Sequence, residues 1–184
     1  MSDIRLEMLD GPATSGTASD LRAIYLSALA QPPFCEGEEQ ADAFAAELAD
    51  EVEEGGFRCC VALAGDEPVG FAYGCPAFTT EPEDSWTREL VGSVGPQVAE
   101  RWIRAQFAFI WTAVRPQWQG HGLGGRLHDA LLATAIQPRA WLVTYPFDCP
   151  AVRLYRSRGW IELGRGPLGM RSAERVVMGI ELGT

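Results

Sequence analysis

The chain has 184 residues, 47% of them hydrophobic, and a net charge of −10, which suits one globular domain with a substantial core and argues against a nucleic-acid partner. No apolar run approaches the roughly twenty residues of a membrane span, and Met1 to Gly11 lacks the basic flank and apolar core of a signal peptide. Charge is uneven: residues 1–100 carry 4 arginines against 20 acids and residues 101–184 carry 11 against 5, so the second half suits a polyphosphate and the first a cation.

In chain order, Ile4 to Leu9 alternates as a first strand. Thr14 to Asp20 offers turn and cap residues before a helix over Leu21 to Ala30, stopped by Pro32 and Pro33. Gly37 to Glu54 reads as a second helix with Ala41, Phe44, Ala45 and Leu48 on one face, ended by Gly55-Gly56. Phe57 to Leu63 and Pro68 to Cys75 are two strands about the turn Gly65-Asp66. Pro76 to Gln97, polar and proline-rich, reads as a long connection, and Val98 to Gln106 as a short helix.

Ala108 to Val114, β-branched and aromatic, is a buried strand ended by Pro116. After the glycines, Leu123, Leu127, Ala130 and Leu131 fall on one helical face. Arg139 to Thr144 is the next strand, and Ala151 to Ser157 a short helix begun by Asp148 and Pro150 and closed by Gly159. Trp160 to Leu163 and Val176 to Leu182 are the last strands. Cys35, Cys59, Cys60, Cys75 and Cys149 lack metal-type spacing, so reduced thiols, no metal and a cytoplasmic protein are expected.

Glycines at a helix start let an anion approach unpaired backbone N–H groups at the positive end of the helix dipole. Arg126, a cation in the first turn, opposes that dipole unless an anion sits there. Gly120-His121-Gly122-Leu123-Gly124-Gly125 formally satisfies the dinucleotide fingerprint. Arg115 to Gln119 separate it from the strand, however, and only 59 residues follow Gly125 in the 184-residue chain, too few for two mononucleotide-binding halves. A Walker lysine is impossible, because all 15 basic residues are arginine.

Val114-Arg115-Pro116 followed by Gln119-Gly120-His121-Gly122-Leu123-Gly124 resembles the V-x-P and Q/R-x-x-G-x-G/A signature of the GCN5-related N-acetyltransferases, the GNAT superfamily. A second block, Asp148-Cys149-Pro150-Ala151-Val152-Arg153-Leu154-Tyr155-Arg156-Ser157-Arg158-Gly159-Trp160, resembles that family's N-x-x-A-x-x-x-Y-x-x-x-G-F/W. The resemblance implies one GNAT domain over residues 1–184: an α/β fold with a mixed central sheet of about seven strands, flanked by helices and splayed at the acetyl-CoA site. It implies an N-acetyltransferase acting by direct attack in a ternary complex on a primary amine, with acetyl-CoA as co-substrate; an acidic pocket would favour a cationic small molecule. A non-catalytic acyl-CoA-binding module of the same fold is the alternative reading, and a homodimer is the expected assembly. Membrane and nucleic acid are not expected partners.

Carried onto this sequence, Gln119, Gly120, His121, Gly122, Leu123 and Gly124 are implied for the pyrophosphate, with Arg126 added by the field argument, and Ala113 and Val114 for pantetheine. Tyr155 matches the tyrosine that faces the CoA sulfur. Many relatives place a glutamate base on the central strand, where this chain has Trp111-Thr112, so Glu36, after Pro32-Pro33-Phe34, becomes the candidate base. Asp148 stands in place of the usual asparagine. His128, offset from the apolar stripe, reads as solvated, and Trp86 and Trp102 read either as acceptor-pocket lining or as packing.

Overall fold

The computed structural model describes residues 4–79, 84–168 and 173–183. In chain order its elements are β1 (Ile4–Leu9), α1 (Gly11–Ser15), α2 (Ala18–Leu29), α3 (Glu38–Glu51), β2 (Arg58–Ala64), β3 (Glu67–Pro76), α4 (Ser85–Val94), α5 (Pro96–Trp102), β4 (Phe107–Val114), α6 (Leu123–Leu132), β5 (Arg139–Thr144), α7 (Pro150–Ser157), β6 (Ile161–Arg165) and β7 (Val176–Glu181). The strands form one mixed sheet in the order β1-β2-β3-β4-β5-β7-β6. The seven-stranded α/β architecture expected from the resemblance is therefore present.

The chain resolves into two compact units, Met1–Cys75 with Trp111–Thr134 and Pro76–Ile110 with Ala135–Thr184. In the first, β2 pairs antiparallel with β1 (Met8↔Cys60) and with β3 (Val61↔Phe71). The connecting turn is made by Gly65 at φ +64, a conformation that costs glycine little. Helices α2 and α3 pack together, tied by Arg22, whose guanidinium reaches Glu38 at 2.5 Å and Asp42 at 2.6 Å. Their apolar faces bury Leu21, Ile24, Phe44 and Leu48. Aromatic rings continue this core from Tyr25 through Phe44 to Phe71 and Tyr73. Helix α6 packs on β2, and Gly70 of β3 lets it approach: a Cβ there would meet Leu127 Cδ1 at 3.2 Å and Ala113 O at 3.1 Å. His128 is 2% exposed, so the solvated reading of it is corrected; its Nδ1 lies 2.7 Å from Asp129 Oδ1.

In the second unit, β5 pairs antiparallel with β7 (Trp141↔Gly179), and β6 with β7 (Ile161↔Gly179). The parallel register of β4 with β5 covers Phe107↔Ala140 and Ala108↔Trp141. Leu90, Ile103, Ala108, Trp141 and Val177 form the core. The connection expected over Pro76 to Gln97 contains helix α4, while its residues 80–83 lie outside the described ones. Asp84 caps α4 by accepting from the Thr87 N–H at 2.7 Å, and Leu90 with Val94 packs into the core. A buried leucine is worth about 1.5–3 kcal/mol, enough to fold a segment whose composition alone reads as loop.

Candidate functional site

Strand β4 ends at Val114, a 3₁₀ turn follows over Pro116–Trp118, and α6 begins at Leu123. The Gln119 side chain closes this turn by donating to Val114 O at 2.8 Å, while its own N–H reaches Pro116 O at 3.2 Å. Gly120 (φ +77) and Gly122 (φ +76) are both left-handed, and a Cβ at either would meet nothing within 4 Å. Gly122 caps α6 without a side-chain bond, and the first helical hydrogen bond is made by the Arg126 N–H to Gly122 O at 3.1 Å. Among the described residues, the backbone N–H groups from Gly120 to Gly125 therefore have no acceptor. Consecutive donors at the positive end of a helix dipole, with open space at Gly120 and Gly122, fit a polyphosphate.

Arg126, exposed in the first turn of α6, donates one guanidinium hydrogen bond to Ile4 O on β1 at 2.9 Å. The cradle is made of backbone amides. His121 is exposed within it, and Ala113 and Val114 are buried at the end of β4.

On the acceptor side of the sequence reading, Glu36 lies in the loop between α2 and α3, half-buried. The Tyr25 hydroxyl donates to Glu36 Oε2. Tyr25 also packs edge-on against Trp111 at 5.0 Å between centroids, so the first unit holds Glu36, Tyr25, Trp111 and the glycine turn. Sequence reasoning missed Tyr25. The available signal was a tyrosine within the apolar stripe of α2, whose hydroxyl must find a partner when buried.

Tyr155 belongs to the second unit, on α7, where it is 5% exposed, edge-on to Phe109 at 6.0 Å and beside Trp160 at 5.8 Å. Burial pushes its phenol well above the ordinary tyrosine value, and Cys149 adds in the same direction. Helix α7 starts at Pro150 with Cys149, not Asp148, as its cap residue; Asp148 instead pairs with Arg153 at 2.7 Å. Gly159, at φ +86, ends the helix as the motif requires. Trp102 packs over Gly179, with Arg101 and Arg139 each 5.5 Å from its ring centroid, and Trp86 is 44% exposed on α4. An open pocket of about 490 Å³ beside Trp102 is lined also by Arg158, Ile161 and Glu181.

All five cysteines are free thiols, and among the described residues no group of three or more His, Cys, Asp or Glu is placed to hold a metal ion. Among the same residues no helix is long and apolar enough to cross a membrane.

A family model described as the acetyltransferase (GNAT) family matches residues 21–160. No protein of curated function matches the chain in sequence. Solved structures share the fold at low identity. An acetyltransferase of the GNAT family from Streptococcus pneumoniae is 14% identical with a TM-score of 0.64, over 98% of this chain and 100% of that one. PaiA N-acetyltransferase from Thermoplasma acidophilum, in complex with coenzyme A, is 11% identical with a TM-score of 0.62, over 98% and 99%. The ribosomal-protein-S18-alanine N-acetyltransferase of Escherichia coli is 14% identical with a TM-score of 0.61, over 99% and 96%.

Proposed function

Because the chain belongs to the acetyltransferase (GNAT) family, whose acyl donor is acetyl-CoA, we propose that it acetylates the primary amine of a small cationic acceptor by direct attack in a ternary complex. The observation that carries this reading is the run of unpaired amides from Gly120 to Gly125 at the start of α6. With Gln119 shaping the turn, these amides would hold the pyrophosphate, and the backbone of Ala113 and Val114 would hold pantetheine as an added strand. That PaiA N-acetyltransferase, a protein of the same fold, was solved in complex with coenzyme A supports coenzyme A as the ligand. Residues 1–184 act in this reading as one domain, with β4 contributing to both compact units.

The bound thioester supplies an activated acetyl group and a thiolate leaving group. In this reading a backbone N–H near Trp111 would polarise the thioester carbonyl. Glu36 is the proposed base: an ammonium of pKa about 10.4 costs roughly 4.6 kcal/mol to deprotonate at pH 7, and a fixed carboxylate receives that proton. Tyr155 is the proposed donor to the sulfur. A phenol raised by burial gives up its proton less readily than a thiol near pKa 8.5, so Tyr155 stabilises the thiolate by a hydrogen bond and keeps its proton.

The excess of acids over residues 1–100 favours a cationic acceptor, and the net charge of −10 disfavours nucleic acid. Free thiols are in keeping with a cytoplasmic protein, and sedimentation tests the homodimer implied by the resemblance. The decisive experiment adds a panel of amines to protein and acetyl-CoA and follows thiol release. Multiple turnovers with one amine support the proposal. Binding of acetyl-CoA without thiol release from any amine overturns catalysis in favour of an acyl-CoA-binding module. Acetyl-CoA in hundredfold excess over its Kd should stabilise the fold by about 2.7 kcal/mol, and no stabilisation overturns the site itself.

A further inference from the structure

We propose, on the footing of that acetyltransferase reading, that Tyr25 is a positioning residue: its hydroxyl fixes the Glu36 carboxylate beside Trp111, so that the base is delivered from the α2–α3 loop instead of from strand β4. Tyr25 itself is 2% exposed, which leaves it little surface to offer a substrate. Its ring is clamped, stacked on Phe44 at 4.5 Å and 17° and edge-on to Trp111 at 5.0 Å and 71°. Phe44 in turn meets Trp111 at 5.8 Å. A ring held on two sides has one place for its hydroxyl, and that hydroxyl donates to Glu36 Oε2.

The backbone under Glu36 is fixed as well. The Glu36 N–H donates to Leu29 O at 3.0 Å, at the end of α2, and the Gly37 N–H to Gln40 Oε1 at 2.8 Å, in the first turn of α3. A glutamate on a loop ordinarily samples many rotamers; one tied at both backbone and carboxylate has already lost that freedom, which is what a base needs before the acceptor arrives. Glu36 and Trp111 are half-buried while Tyr25 and Phe44 are buried, so of these four residues Glu36 and Trp111 are the ones with surface left for an amine. The indole face favours a cation and the carboxylate accepts its N–H, which makes a protonated primary amine the fitting ligand. Glu36 takes the proton that the ammonium releases; the nitrogen lone pair then forms the C–N bond while the C–S bond breaks with its electron pair leaving on sulfur, and the second proton lost by the nitrogen goes to that thiolate, giving the neutral amide and the free thiol.

The test is a double-mutant cycle on the best amine of the panel. Glu36→Gln should lower kcat about a hundredfold. Tyr25→Phe keeps the clamped ring and should lower kcat about tenfold, with the KM for acetyl-CoA unchanged. In the Glu36→Gln background, Tyr25→Phe should change kcat less than twofold, because the residue it positions is gone. Formate should restore turnover to Glu36→Ala and restore it less well when Tyr25→Phe is added. Independent losses in the cycle, or equal rescue in both backgrounds, overturn the positioning role while leaving the acetyltransferase reading intact. A Tyr25→Phe that unfolds at assay temperature counts against it too, as purely structural, unless the rescue difference survives at lower temperature. Absence of thiol release from wild type with every amine overturns both.

Discussion

Glu51 ties the stability of the fold to pH. Near the C-terminal end of α3 it accepts the Tyr73 hydroxyl at 2.6 Å, and desolvation, with Glu47, Asp50 and Glu54 nearby, pushes its carboxyl from 4.5 up to about 7 despite that hydrogen bond. The folded state therefore holds a proton that the unfolded chain releases near pH 4.5. The stabilisation is complete below that pH and is lost as pH rises to about 7, leaving the fold about 3 kcal/mol less stable at pH 8 than an unburied glutamate would. Glu51→Gln preserves the acceptor for Tyr73 and removes the titration. The urea-unfolding free energy of the variant minus that of wild type should rise by about 2–3 kcal/mol between pH 5 and pH 8. In a chain of this size that amounts to roughly 4–12 °C in Tm. Glu53→Gln, at an exposed position on the same segment, is the control. A difference that stays flat within about 0.5 kcal/mol across that range would refute the reasoning, because it would mean that the Glu51 charge is hydrated in the fold.

Tyr155→Phe should lower kcat about ten- to hundredfold with the KM for acetyl-CoA unchanged; steady-state kinetics showing full turnover would remove Tyr155 from the chemistry. Gly122→Ala places a Cβ at φ +76, costing about 1–2 kcal/mol of stability, and should weaken acetyl-CoA at least tenfold by calorimetry. Gly65→Ala, strained alike at φ +64, should cost similar stability and leave acetyl-CoA affinity unchanged; equal binding losses in both would take the cradle out of the site. Of the five thiols only Cys35 is exposed, so a thiol reagent should modify one cysteine quickly in the native protein and all five after denaturation. Burial holds Cys59 and Cys75 up near 12 and Cys60 near 11, which slows them further; two or more fast thiols would contradict that packing.

Where a local pattern sufficed, the chain could be read directly. Strand Arg139–Thr144 has the expected bounds, because its apolar run stands between a proline and a turn. The β4-to-α6 turn was legible because left-handed glycines and an uncapped helix start are local properties of the backbone. Helix α4 was not, because Leu90 and Val94 become reasons to fold only once a core exists to receive them. His128 misled for the same reason: its offset from the Leu123–Leu131 stripe says nothing of the second surface that covers it.

The sequence by itself determined the family, the glycine turn before α6 and the absence of a glutamate at Trp111-Thr112, since each is written in neighbouring residues or short spacings. Tertiary structure decided what distant residues do to one another. It sent Arg126 across 122 positions to Ile4 and joined Tyr25 to Glu36 eleven residues on. It also pressed Glu51 against Tyr73 in a place where water no longer holds its charge. Hydrogen bonds and desolvation depend on which surfaces meet, and the pattern along the chain does not carry that information.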